Sequence, residues 1–260
     1  MSGQSRVLDF EGTHLSSTSP PYSIAPWTYE NNQMLSVTIR TSPDLLQALV
    51  PSPLVANADG LMTIYVGALN VIHPEGINYR EAGIMIPASY RGKAGSYMPV
   101  LYLDKVLPII AGREVWGFPK FEAVVSLETR DGIAHACVVK EGVTLIDVSL
   151  RLGEAVPPSE FPPDQLLTMK SIPSVRPGAP PDVKQLVSTL IHNRKYTTIR
   201  PGEATLQLNS TSSDPLGTIS VDEIISGVYL RGGFVLDCGE ILHDYLAEEN
   251  PIAVSSQDDV

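Results

Sequence analysis

The sequence predicts a β-rich α+β domain, and three observations lead there. Twenty-two prolines and twenty glycines are scattered through most of the 260 residues, which suits many short strands joined by turns better than a helical bundle. Alternating apolar runs are parted by Asp131-Gly132 and Glu141-Gly142, the acid-Gly pairs that mark two-residue hairpins. The clearest helical face, Leu45, Leu46 and Leu49, is short. A hydrophobic content of 43% in a chain of this length fills one large core.

Taken in order, residues 1–20 are rich in Ser, Thr and Gly and read as a poorly ordered arm. One domain is expected over residues 21–247, with a frayed tail at 248–260. Met34 to Arg40 reads as a strand. Thr41-Ser42-Pro43-Asp44 then supplies a cap, an early proline and an acid for a helix that Pro51 and Pro53 stop. Leu61 to Leu69 is strand-like, and the polar stretch Asn70 to Gly83 reads as a long loop. Ile84 to Tyr90 and Tyr97 to Leu103 are strands across a turn at residues 91–95, and Leu107 to Val115 is a helix. Glu122 to Thr129, Ile133 to Lys140 and Val143 to Leu152 form a meander. The proline-dense span 157–181 is expected to be mostly irregular. Leu186 to Ile199 and Ala204 to Asn209 suggest a hairpin across Pro201-Gly202, Asp222 to Asp237 a long β-run, and Glu240 to Leu246 a closing helix.

Composition also excludes. A formal charge of −11 with no basic cluster argues against nucleic acid. No window approaches the roughly 20 apolar residues of a membrane span, and the first residues lack a basic and then apolar leader, so a cytoplasmic protein is the expectation. Cys137 and Cys238 lie far apart and read as core residues. The five histidines make no metal spacing, and glycine-rich phosphate loops are absent. Neither a metal nor a cofactor is expected, and Arg231-Gly232-Gly233 reads as a bulge in a strand.

The stretch that carries chemistry is Gly112-Arg113-Glu114-Val115-Trp116-Gly117-Phe118-Pro119-Lys120-Phe121-Glu122. A glycine and a proline set a sharp change of direction, and Lys120 is delivered at the corner among Trp116, Phe118, Pro119 and Phe121. A lysine among apolar groups is disfavoured as the ammonium, and the free amine is a nucleophile. Arg113 and Glu114 read as structural links between neighbouring elements.

Gly112-Arg113-Glu114 followed by Phe118-Pro119-Lys120 resembles the acetoacetate decarboxylase family. Tyr102-Leu103-Asp104, Ile86-Pro87 with Tyr90, Arg40-Thr41 with Val50-Pro51, Met169-Lys170-Ser171-Ile172-Pro173 and Asp222-Glu223-Ile224-Ile225 fall in a similar order. The resemblance implies an acetoacetate decarboxylase-like, cone-shaped and partly closed antiparallel sheet with a few short helices, assembled as a homo-oligomer. It further implies a Schiff base on Lys120, this family being itself the standard illustration of a lysine activated beside a second cation.

Departures from the family pattern are as informative. The second lysine of acetoacetate decarboxylating relatives is Phe121 here, and their carboxylate-binding arginine aligns with Asn32. Of two family acids, one matches Glu81 and the other falls on Tyr65. Lys120 and Glu81 are therefore the candidate catalytic residues, and Tyr65, Phe118, Phe121 and Asn32 the candidate substrate contacts. The resemblance implies a lyase that decarboxylates a β-keto acid larger or less polar than acetoacetate, with a place in secondary metabolism. Two alternatives stand beside it: a Schiff-base aldolase or dehydratase acting on keto acids and aldehydes, and a non-catalytic binder of an apolar ligand.

Overall fold

The computed structural model describes residues 22, 23, 25–74 and 76–249. The expected N-terminal arm and nearly all of the expected tail lie outside the described residues. In chain order the elements are β1 (Trp27–Arg40), α1 (Pro43–Leu49), β2 (Val55–Ala56), β3 (Leu61–His73), β4 (Ile77–Tyr90), β5 (Lys93–Tyr97), β6 (Leu101–Leu103), α2 (Val106–Ala111), a π-helical turn (Gly112–Trp116), β7 (Lys120–Glu122), β8 (Val124–Arg130), β9 (Ile133–Lys140), β10 (Val143–Leu152), β11 (Ser159–Phe161), β12 (Asp164–Ile172), β13 (Val183–Leu208), β14 (Glu223–Asp244) and α3 (Tyr245–Glu249).

All strands belong to one sheet, ordered β12-β5-β4-β3-β1-β14-β13-β10-β9-β8. The pairing of β12 with β13 brings that path back on itself, so seven strands form a ring and β10, β9 and β8 extend from it. Among the described residues only the β12–β5 and β6–β7 pairings are parallel. This is the β-rich, partly closed sheet with few short helices that the resemblance implies.

Period-two alternation gives the central strands two buried faces. On β3, Ile64 and Val66 pack with Leu35 and Val37 of β1 and with Val138 and Val148 of the meander. Their neighbours Tyr65, Leu69 and Val71 face the other way, into a second apolar cluster with Trp27, Trp116, Phe118 and Leu236. Helix α1 begins where Ser42 Oγ accepts the Leu45 N–H, with Pro43 and Asp44 in its first turn, and it pins Leu46 into the first cluster. Cutting a fully buried leucine to alanine costs about 2–5 kcal/mol, which makes Leu46 the anchor of that helix.

The meander and its turns match the sequence reading, with Asp131, Gly132, Glu141 and Gly142 all at positive φ. Five expectations do not hold. Asn70 to Gly83 is not a loop, because β3 and β4 run in register from Thr63↔Met85 to Val71↔Ile77. The exposed Asn78 and Arg80 alternate with the inward Tyr79 and Glu81 and disguise a strand as a polar stretch. The turn at residues 91–95 shrinks to Arg91-Gly92, since Lys93 already pairs with Tyr90. No hairpin forms at Pro201-Gly202: β13 runs straight through, exchanging β14 for β10 as partner at Gly202, and the Pro201 carbonyl accepts the Gly153 N–H. Glu240 to Asp244 extends β14, held by register with β13, so the final helix starts only at Tyr245. Cys238 is exposed and Cys137 half-buried; Cys238 lies where β14 shifts register against β13, between Leu236↔Ile191 and Gly239↔Thr189, so it does not follow the buried Leu236 inward. Within the proline-dense span, β11 and β12 form against β13.

Candidate active site

The corner at Lys120 is built from both sides. Helix α2 passes into the π-helical turn, which stops at Gly117. The turn is tied down by Trp116, whose Nε1 donates to the Asp237 carbonyl (2.9 Å) and whose own carbonyl accepts Thr168 Oγ1 (2.5 Å). Arg113 Nη1 donates to the Lys120 carbonyl (3.2 Å), and Tyr22 donates to Glu114 Oε2 (2.5 Å). The chain then enters β7 with Lys120 opposite Leu101 of β6. Two-residue alternation sends Phe118 and Lys120 inward and Phe121 outward. A Cβ on Gly112 would stand 2.5 Å from Lys120 Cδ, so the glycine leaves the channel along which the lysine stem lies.

Glu81 arrives from the inward face of β4. Lys120 Nζ is 3.0 Å from Glu81 Oε2, with Lys120 7% and Glu81 6% exposed. The Tyr65 hydroxyl donates to Glu81 Oε1 at 2.6 Å. That reach is possible because Tyr65 lies across from Gly83, where a Cβ would sit 2.8 Å from the phenol ring. Burial, then the charge and hydrogen bond of Glu81, raise the Tyr65 phenol well above its ordinary pKa, so it remains a donor. Lys120 Nζ also faces the rings of Phe118 (5.4 Å) and Tyr79 (5.7 Å).

These groups open onto a cavity of about 100 Å³ inside the strand ring. Its walls include Met34, Leu69, Met85, Met98, Phe234 and Leu236, and its polar lining also includes Tyr29, Tyr79, Asp164, Arg194 and Tyr196. Among the described residues no group of three metal-ligating side chains exists.

The structure thus brings together Lys120, Glu81, Tyr65 and Phe118. Phe121 is not with them: it is 42% exposed, packed between Arg113 (5.6 Å) and Lys140 (5.4 Å), on the opposite face of β7. Asn32 is 1% exposed but does not line the cavity. Its Oδ1 accepts the Asn70 N–H (2.9 Å), which ties β1 to β3 within the register shift between Tyr29 and Gln33. The lining residues absent from the sequence reading include Tyr29, Tyr79, the three methionines, Asp164, Arg194 and Tyr196. Tyr79 and Met85 lie two before and four after Glu81 on one face of β4, a relation that emerges only once pairing with β3 makes the stretch a strand.

A buried amine in contact with a carboxylate, itself oriented by a phenol, has the nucleophile, base and orienting group of a lysine-nucleophile site. The chain belongs to the acetoacetate decarboxylase family, whose model, "Acetoacetate decarboxylase (ADC)", matches residues 15–246. Acetoacetate decarboxylase 2 of Mesorhizobium japonicum is 31% identical over 241 residues, covering 90% of each chain. Among solved structures, an acetoacetate decarboxylase-like enzyme from Sphingomonas wittichii RW1 superposes with a TM-score of 0.78 at 24% identity, over 90% of this chain and 99% of the other. The enduracididine biosynthesis enzyme MppR, complexed with the condensation product of pyruvate and imidazole 4-carboxaldehyde, does so at 0.77 and 19%, over 94% and 100%.

Proposed function

We propose that the protein is a Schiff-base-forming carbon–carbon lyase that decarboxylates a β-keto acid larger or less polar than acetoacetate. The observation that carries this reading is the Lys120–Glu81 contact of 3.0 Å inside a cavity with mostly apolar walls. Family membership supports it. Glu81 as carboxylate takes a proton from the lysine nitrogen as the amine adds to the ketone, and hands it to the former carbonyl oxygen to give the carbinolamine. A second proton, taken up from solvent, releases that oxygen as water and leaves the iminium. The electrons of the breaking carbon–carbon bond then flow toward the iminium nitrogen, CO₂ departs, and a neutral enamine replaces a high-energy carbanion. Protonation of the enamine carbon and hydrolysis return the free lysine.

The methionine-rich, aromatic wall supports the larger or less polar substrate, since methionine adapts to irregular apolar shapes. A second reading, aldol or dehydratase chemistry through the same iminium, is favoured by Tyr65 standing at the place of a family acid and Asn32 at that of the carboxylate-binding arginine. The ligand described for MppR, a pyruvate–aldehyde condensation product, is of that kind. Borohydride reduction with a panel of keto acids and ketones tests the shared step, with trapped mass on Lys120 expected and none in Lys120→Arg, because a guanidinium is effectively never deprotonated. Absence of trapping from the whole panel would favour a non-covalent binder. Release of CO₂, compared with consumption of an aldehyde, separates the two lyase readings.

A further inference from the structure

The cavity contains a second polar pair that the lysine chemistry above leaves unused. Tyr29 on β1 and Tyr79 on β4 both line it, both are buried, and their hydroxyls lie 3.1 Å apart. Tyr79 shares the inward face of β4 with Glu81, and its ring is the one 5.7 Å from Lys120 Nζ. Stacking of Tyr29 on Phe234, with centroids 4.5 Å apart, fixes the other phenol.

Two phenols carry two O–H protons, and the hydrogen bond between them uses one. Among the described residues neither oxygen has another partner, whereas both oxygens of Glu81 are engaged by Lys120 and Tyr65. One O–H is left to turn into the cavity. Burial, ahead of the nearby charges, raises both phenols above their ordinary pKa, which keeps the pair neutral and donating.

We infer that the Tyr29–Tyr79 pair donates a hydrogen bond to the substrate's ketone oxygen while Lys120 adds to the carbonyl carbon. This rests on the Schiff-base reading of Lys120. As the nitrogen lone pair forms the C–N bond, the π electrons of the carbonyl move onto oxygen, and the free O–H meets the growing negative charge. The pair transfers no proton itself; Glu81 and solvent supply the protons, as above. A donor placed for charge that develops during the reaction accelerates it because no reorientation is needed at that moment.

The test compares borohydride-trapping rates of the parent, Tyr79→Phe and Tyr29→Phe with two probes of equal chain length, the neutral methyl ketone pentanone and the keto acid levulinate. Each variant keeps its ring, and melting temperature and far-ultraviolet circular dichroism confirm the fold; the second variant serves if the first is insoluble. Both probes should be trapped about 10²-fold more slowly in at least one variant, the scale of losing one preorganised donor, with the trapped mass still on Lys120. Parental rates in both variants would overturn the inference and leave the lysine reading standing. Slowing restricted to levulinate would overturn it too, since the pair would then be a carboxylate contact. A parent that traps neither probe would remove the Schiff-base reading and this inference together.

Discussion

Replacing Phe121 by lysine restores the adjacent pair of lysines found in acetoacetate decarboxylating relatives, and the structure predicts that it disturbs stability instead of Lys120. The ring of Phe121 lies 5.6 Å from the Arg113 guanidinium and 5.4 Å from the Lys140 ammonium. Each cation–π contact at such a half-exposed site is worth about 0.5–1 kcal/mol. A new ammonium in the ring's place would stand roughly 5–6 Å from two like charges, each repulsion about 0.8 kcal/mol at the dielectric of water. Loss and repulsion together give about 2.5–3.5 kcal/mol, which is roughly 5–14 °C of melting temperature for a domain of this size. Urea denaturation of Phe121→Lys should show that loss at low ionic strength. Molar salt should recover the repulsive part, because the screening length falls to about 3 Å. The pH profile of borohydride trapping at Lys120 should stay where the parent's lies, residue 121 being on the far face of β7. Unchanged stability together with a displaced trapping profile would refute the reasoning, since the side chain would then enter the cavity.

Gly112→Ala should slow trapping strongly with little change in melting temperature, because the new methyl meets the movable Lys120 stem, 2.5 Å away, and displaces the amine; trapping at the parental rate counts against that picture. Glu81→Gln should lower turnover by roughly 10²–10⁴-fold, the range of general acid–base catalysis, while still allowing slow trapping, and full turnover would reduce Glu81 to a structural acid. Asp214 tests the rear of the site: burial raises its pKa, but hydrogen bonds from Lys140, Ser213 and Tyr102 outweigh this and bring it from 3.8 down to about 2. A carboxyl depressed on folding adds stability that is full above its unfolded pKa and lost as pH falls through the folded one. The stability gap between the parent and Asp214→Asn should therefore be constant near neutrality and shrink between about pH 3.8 and pH 2; a gap that persists to pH 2 would contradict the assignment.

The lysine corner was legible because its signals are local. Gly112, Gly117 and Pro119 are turn residues in sequence, and the alternation from Phe118 to Lys120 places both side chains on one face. The meander was legible for the same reason, through its two acid-Gly turns. What escaped depends on partners remote in sequence. Tyr79 and Glu81 looked like loop residues because Asn78 and Arg80 beside them are polar, and only pairing with β3 makes the stretch a strand. Pro201-Gly202 looked like a turn because nothing local announces that β13 trades β14 for β10 there. Phe121 was assigned to the cavity because it stands where the family has its second lysine, although residues adjacent on a strand point to opposite faces. Arg194 and Asp164 reach the same cavity only through closure of the ring by β12 and β13.

The pairing of β1, along its whole length, with the first part of β14 also bears on how the molecule is made. The first long strand has as one of its two neighbours the last long strand, some two hundred residues further along the chain, and its register with that neighbour extends from Trp27↔Leu236 to Arg40↔Glu223. During synthesis the apolar inner wall therefore waits, incomplete, until β14 has left the ribosome, and only then does the enclosure around Lys120 exist. Contacts between such distant segments are slow to form and leave strand edges open to wrong partners meanwhile. The chain should accordingly depend on chaperones or low growth temperature for its soluble yield, and a cut within β14 should cost the binding chamber as a whole instead of trimming one of its edges.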